Sequence, residues 1–243
     1  MSGHSKWKNI MHKKEKTDAQ KAKVFTKIGK EMAIAIREGG ADPVSNSKLR
    51  DLIQKAKANN VPNDNIDRII KKFSGDNTVV YDEITYEGYG PSGVAVIVKA
   101  ATDNRNRTAG EVRHAFDKYG AGLGQNGCVS YLFEEKGVII IEKTDAIDED
   151  ALMEVALEAG MEDLIVGEEE FEIQTAPEDL NAVSEALRAA GYELLESDVD
   201  YVPTMESTPS ESDIKSLVKM LEVLENDDDV QKVYHNCAVE LDY

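Results

Sequence analysis

The chain has 243 residues, 41% of them apolar, and a formal net charge of −19. At roughly 100–200 residues per domain, this length points to one to three globular domains with enough apolar side chain to bury a core, and it excludes a disordered chain. No apolar run approaches the roughly 18 residues of a membrane span, and the start has neither a secretory apolar stretch nor the arginines of a transit peptide, so the expected setting is cytoplasmic with no membrane partner.

Met1–Lys16 has no helical or strand period and reads as a basic arm, able to reach on the order of 50 Å if extended at about 3.3–3.6 Å per residue. Thr17 and Asp18 are placed to cap a helix with Phe25, Ile28, Met32, Ala35 and Ile36 on one stripe, stopped by Gly39-Gly40. Asp42-Pro43 reads as the cap and first turn of a second helix, lined by Leu49, Leu52, Ile53 and Ala56. Pro62 and Asn63 start a third, with Ile66, Ile69, Ile70 and Phe73 on one face, ended by Ser74-Gly75. Three short amphipathic helices make a small bundle.

The period then changes. Ile84–Glu87 and Val94–Ala101 read as strands joined by a Gly- and Pro-rich turn, Arg107–Tyr119 as a helix, and Cys128–Phe133 as another strand. The next stretch runs strand Val138–Ile141, helix Glu149–Ala159, strand Leu164–Val166, strand Phe171–Thr175, helix Pro177–Ala190, and Tyr192–Leu195 leading into a strand, after which Asp198–Pro203 extends the chain. That βαββαβ order is ferredoxin-like. A helix over Glu211–Leu224 and a strand over Val230–Cys237 close the chain. The expected class is α+β: an N-terminal three-helix bundle, a central α+β domain, and an inserted ferredoxin-like βαββαβ domain. The expected division is an arm over 1–16, a bundle over 17–77, a discontinuous α+β domain over 78–135 plus 204–243, and the insertion over 136–203.

The charge is unevenly distributed. Residues 1–73 hold 17 Lys and Arg against 8 Asp and Glu, and the remainder holds 11 against 39. A basic module on an acidic body suits a protein that meets polyanions with one end. In the arm, Lys6, Lys8, Lys13, Lys14 and Lys16 surround Trp7, with His4 and His12 nearby; Lys21, Lys23, Lys27 and Lys30 continue the charge into the first helix. Ammonium groups release counterions from phosphates, and an indole offers a surface on which a base can stack. The arm has no arginine, the side chain best suited to reading guanine, which favours shape or backbone contact over base reading. Thr102–Thr108 (TDNRNRT) enters a helix with Arg105 and Arg107 at its start. It can hold a phosphate there, or stand as a capped helix start whose arginines pair with local acids. Arg68, Lys71 and Lys72 on the third helix offer charge but few groups suited to bases.

Other motifs point away from catalysis. Gly122–Gly127 matches G-x-G-x-x-G, but it follows a helix and opens a strand, the reverse of a nucleotide site, so its glycines read as a helix stop and a turn. Glu111 and His114 have Glu-x-x-His spacing without the second copy that a di-iron site needs. Cys128 and Cys237 form no Cys-x-x-Cys pair and read as reduced, buried core residues. The run Glu168–Glu170 reads as a solvated face. No P-loop, nucleophile elbow or zinc-protease motif occurs. The expectation is a non-enzyme with no cofactor, no metal and no small-molecule substrate.

The opening Ser2-Gly-His-Ser-Lys-Trp-Lys-Asn-Ile10, with Lys21-Ala-Lys-Val-Phe25, Tyr86-Glu-Gly-Tyr-Gly-Pro-Ser-Gly93, Thr102–Thr108 and Gly124, closely resembles the YebC family from end to end. The family includes bacterial proteins described as probable transcriptional regulators and a mitochondrial translational activator. The resemblance implies the three-domain arrangement above and a non-catalytic role in gene expression. Its target is either promoter DNA or ribosomal RNA at stalled ribosomes. The positions that carry either role are His4, Lys6, Trp7 and Lys8 in the arm, and Arg105 and Arg107 in the loop.

Overall fold

The computed structural model describes residues 18–75, 79–239 and 241. The described chain divides into two compact units: one runs to Leu132 and resumes at Met205, and the other is Phe133–Thr204. No described helix is long and apolar enough to cross a membrane.

The first unit opens with helices α1 (Asp18–Gly39), α2 (Ser47–Ala58) and α3 (Asn63–Phe73). Ile28, Met32, Ala35 and Ile36 of α1 pack with Leu49, Leu52 and Ala56 of α2 and Ile66 of α3, the stripes that helical spacing predicts. The second helix starts later than Asp42-Pro43 suggested. Residues 42–46 fold into a turn in which the Asp42 carbonyl accepts from Ser45 and Asn46, and the cap is Asn46. Its Oδ1 accepts the Leu49 amide at 3.0 Å, while its Nδ2 donates to the carbonyls of Ala35 and Gly40, both at 2.8 Å. One buried amide thereby closes the end of α1 and opens α2.

A four-stranded antiparallel sheet follows, ordered β3-β1-β2-β8, from β1 (Asp82–Tyr89), β2 (Ala95–Thr102), β3 (Gly122–Leu123) and β8 (Val230–His235). Helices α4 (Arg105–Tyr119) and α7 (Glu211–Asn226) cover one face, where Val96 and Val98 meet Val112, Phe116, Leu217, Leu221 and Leu224. Phe116 is fully buried, and burial of such a ring stabilises by about 2–3 kcal/mol. Gly88 leaves it room: a Cβ there would sit 2.6 Å from the ring. Helix α1 touches β2, and Ala33 and Ile34, off the bundle stripe, are buried.

The second unit is β4 (Phe133–Glu142), α5 (Glu149–Ala159), β5 (Met161–Val166), β6 (Glu170–Thr175), α6 (Leu180–Ala189) and β7 (Glu196–Pro203), with antiparallel sheet order β5-β6-β4-β7. This is the ferredoxin-like arrangement expected from the element order. Phe171, Ile173, Ile139 and Ile141 pack beneath α5 and α6.

One strand is misplaced by the sequence reading. Cys128–Phe133 is a loop and a 3-10 turn over Ser130–Leu132, and the strand begins at Phe133. The cause is Glu87, whose carboxylate takes the backbone N–H groups of Gly127, Val129 and Ser130 at 2.8–2.9 Å and so removes them from any ladder. Cys128 and Cys237 are free thiols, as expected, but only half-buried rather than in the core. Burial is the first cause that pushes both thiols up, which keeps them protonated and unreactive near neutral pH.

Replacing Asn46 by Ala removes a cap and leaves the buried Ala35 carbonyl and the half-buried Gly40 carbonyl with one donor fewer. We expect a loss of about 2–3 kcal/mol, read from the urea midpoint of the first unit.

Candidate nucleic-acid interface

The candidate residues fall into three groups. His4, Lys6, Trp7, Lys8, His12, Lys13, Lys14 and Lys16 lie outside the described residues. Lys21, Lys23, Lys27 and Lys30 lie on α1. Arg105 and Arg107 open α4.

On α1, spacings of four and three put Lys23, Lys27 and Lys30 on one stripe. That stripe faces the end of α7. Lys23 Nζ donates to the Asn226 carbonyl at 3.0 Å and to its Oδ1 at 3.2 Å. Lys27 Nζ donates to the Glu225 carbonyl at 2.7 Å. Lys30 Nζ donates to the Asp228 carbonyl at 2.7 Å and to Asp229 Oδ1 at 2.5 Å. The last carbonyls of a helix lack intrahelical donors and carry the negative end of its dipole, so the ammonium groups of Lys23 and Lys27 complete the C-terminus of α7, and Lys30 holds the loop just beyond it. Lys30 is buried and faces Asp229 rather than solvent. Lys23 and Lys27 are half-buried, and Lys21 is exposed.

The arginines start from a capped helix. Asn104 Oδ1 accepts the Arg107 amide at 3.1 Å, and the Asn104 amide donates to Thr102 Oγ1 at 2.9 Å. Arg105 Nε then donates to Asp82 Oδ2 at 2.8 Å, with its side chain still 67% exposed. Arg107 reaches Asp229 Oδ2 through Nη2 at 2.6 Å and Nε at 3.2 Å, and Asp103 Oδ1 through Nη2 at 2.9 Å. Thr108 Oγ1 adds a 2.7 Å bond and Thr102 Oγ1 a 3.1 Å bond to the same Asp229 oxygen. The Arg107 fork is therefore occupied by carboxylates of the chain itself, while Arg105 is tethered to Asp82 through Nε alone and stays exposed.

Asp229 is where these groups meet. Burial alone would push its carboxyl up. The hydrogen bonds from Lys30, Arg107 and Thr108 outweigh that and hold it at about 2. Sequence reading passed over this residue because it ends the run Asp227–Asp229, which looks like an acidic loop; the one available signal is the valine that follows and opens a strand. Glu87 was also missed. Burial pushes its carboxyl up, and the backbone donors of Gly127, Val129 and Ser130 more than reverse this and leave it low. The glycine-rich loop thus holds an anion, and that anion is internal.

The described surface still carries exposed cations on the bundle: Lys48, Lys57, Arg68, Lys71 and Lys72. Glu111 and His114 line a surface cleft with Asn226 and Asp227, and among the described residues no group of three or more His, Cys, Asp or Glu is placed to hold a metal.

A family profile described as "TACO1/YebC protein N-terminal domain" matches residues 5–76, and one described as "TACO1/YebC second and third domain" matches residues 81–237. A "Probable transcriptional regulatory protein" of Acetivibrio thermocellus is 58% identical over 238 residues, covering 97% of this chain and 98% of that protein. One of Clostridium novyi is 58% identical over 237 residues, covering 97% of this chain and 96% of that one. The crystal structure of a conserved hypothetical protein from Aquifex aeolicus superposes with a TM-score of 0.84 at 44% identity over 92% of each chain.

Two outcomes follow for the Asp229 cluster. Replacing Asp229 by Ala leaves the Lys30 ammonium buried without its counter-charge. We expect a loss of about 3 kcal/mol in urea unfolding, partly recovered when Lys30→Met is added. Two groups shape the acid response in separate pH ranges. His235 is lowered to about 4 by burial, so the unfolded chain binds that proton first and stability declines from pH 6.5 to 4. The depressed carboxyl of Asp229 contributes stability that is complete above its ordinary 3.8 and lost as pH falls through about 2. Melting temperature against pH should show the first decline in the native chain and lose it in His235→Gln.

Proposed function

Because the chain belongs to the TACO1/YebC family, matched over residues 5–76 and 81–237, we propose that it is a non-enzymatic regulator of gene expression that binds nucleic acid through its lysine-rich N-terminal part. The observation that carries this reading is the segregation of charge: 17 cations against 8 anions in residues 1–73, on a remainder with 11 against 39. The acidic remainder is repelled by phosphate and leaves the first 73 residues as the approach. The names of the relatives favour DNA as the target and a role in transcription.

A second reading, a ribosome-associated translation factor that contacts ribosomal or transfer RNA, is favoured by the arginines. Arg105 and Arg107, the side chains best fitted to read guanine, are held by Asp82, Asp103 and Asp229. The cations that remain are mostly lysines, which meet backbone phosphate, beside the indole of Trp7, which stacks on a base without reading it. That chemistry suits a shaped RNA surface better than a promoter sequence.

The test compares the native chain with a Lys6/Trp7/Lys8→Ala variant, in sucrose gradients of lysate with and without RNase and in mobility-shift assays on promoter fragments with competitor DNA. Native protein in RNase-sensitive ribosomal fractions, lost in the variant, establishes the translation reading. Promoter retardation that survives competitor and physiological salt establishes the transcription reading. On either target the variant should flatten the dependence of log K on log salt by about 1.4–1.8, the share of two ammonium contacts. A chain that binds neither, at any salt, refutes the proposal.

A further inference from the structure

A small cavity lies where α1, the end of α3 and the entry to β1 meet in the first unit. Its volume is about 210 Å³, below the roughly 300–1,000 Å³ of a pocket for a whole cofactor and roomy enough for one planar ring system. Ala33 and Ile34 of α1, Phe73 of α3, and Val80 and Tyr81 line it, with the exposed Arg37 beside them. Ala33 and Ile34 are buried, but Val79 and Val80 are 46% and 59% exposed, an apolar wall that the fold leaves in water. The rings of Phe73 and Tyr81 are 6.1 Å apart and tilted by 58°, so the lining is aromatic as well as aliphatic.

Cations stand at the mouth. Arg37 Nη1 donates to the Tyr81 carbonyl at 2.7 Å, which fixes the guanidinium beside the cavity and leaves Nε and Nη2 as further donors. Lys72 is exposed and sets its ammonium 5.0 Å from the centre of the Phe73 ring. The acidic side chains next to these residues in the chain are matched by cations of their own. Glu38 and Glu83 have Lys48 at 3.4 and 4.0 Å, and Asp82 has Arg105 Nε at 2.8 Å. They therefore add little net repulsion to an approaching anion.

An apolar, aromatic seat with cations at its mouth fits a ligand that is flat at one end and anionic at the other. A nucleotide has both: its base stacks on aromatic and apolar side chains, and its phosphate takes arginine and lysine. The base must be unpaired, because in a duplex its faces are covered by its neighbours. We propose that the cavity seats one unpaired base of a single-stranded nucleic acid, with the adjoining phosphates on Arg37 and Lys72. The lining offers few polar groups to a base edge, so the seat selects strandedness rather than sequence. The site rests on the functional reading above and narrows its ligand to single strands.

Fluorescence anisotropy tests this with the full chain and short labelled oligonucleotides of one sequence: an RNA strand, a DNA strand, a DNA duplex, and a DNA strand of the same length without bases. The native chain is compared with a mouth variant (Arg37→Gln, Lys72→Gln) and a wall variant (Val80→Asp). All three positions are exposed, and circular dichroism melts verify that each variant keeps its fold. The native chain should bind the single strand about tenfold more tightly than the duplex or the strand without bases, a loss within the range of one stacked base. The wall variant should bind strands with and without bases within about twofold of each other. The mouth variant should keep the preference for bases, bind more weakly, and flatten the dependence of log K on log salt by about 1.4, the share of two phosphate contacts on a single strand. A tenfold preference that persists in the wall variant places base contact elsewhere, on Trp7 for example, and overturns the seat while the functional reading stands. Equal affinity of the native chain for strand and duplex overturns it in the same way. A native chain that binds none of the four refutes the functional reading and the seat together. RNA and DNA strands bound alike uphold recognition by base and phosphate alone; tighter RNA binding upholds the seat and adds a contact to the 2′-hydroxyl.

Discussion

The architecture of the first unit depends on one buried carboxylate. Asp229 sits between the last turn of α7 and β8, and it receives Lys30 from α1, Thr102 from the end of β2, and Arg107 and Thr108 from the first turn of α4. A carboxylate out of water is tolerated only when cations and hydroxyls saturate it. The donors come from two distant stretches of chain, Lys30 on α1 and residues 102–108 at the β2–α4 junction, so that condition also fixes where the bundle sits on the sheet. Lys23 and Lys27, which complete the end of α7 one and two turns away, extend the same junction.

Glu87 applies the same principle in the loop after β3. Its carboxylate gathers three backbone N–H groups, so the glycine-rich stretch is ordered around an internal anion. The two segments most suggestive of phosphate binding, Thr102–Thr108 and Gly122–Gly127, are thus both satisfied within the chain. In a protein with 47 acidic residues against 28 basic ones, cations and free donors are scarce and the interior claims many of them. What is left for an external polyanion is the N-terminal segment and the exposed cations of the bundle. That is why the electrostatic argument for function concentrates at one end of the chain.

The second unit shows the inverse arrangement. Its acidic residues read as a solvated face, yet Glu170, Glu172 and Asp200 are buried on the side of the sheet away from the helices. Alternation along β6 puts phenylalanine and isoleucine under the helices and the carboxylates opposite, so one strand serves a dry core and a charged face together.

The sequence by itself determined the elements and their order. Ile28, Met32, Ala35 and Ile36 repeat at helical spacing, and the alternation of β6 and the βαββαβ succession are equally local, because backbone geometry imposes the period on neighbours in the chain. Local pattern was also enough to reject a nucleotide site at Gly122–Gly127. It failed where a distant partner decides the outcome. Asn46 rather than Asp42 caps α2 because its amide also reaches Ala35 and Gly40. Cys128–Phe133 loses its strand because Glu87, some forty residues earlier, holds its amides. A lysine's spacing shows that it belongs to a charged stripe, but whether the stripe meets water, phosphate or the end of another helix depends on residues about 200 positions away. Only the tertiary structure brings those groups together, because the energy of an ion pair depends on distance in space and not on separation along the chain.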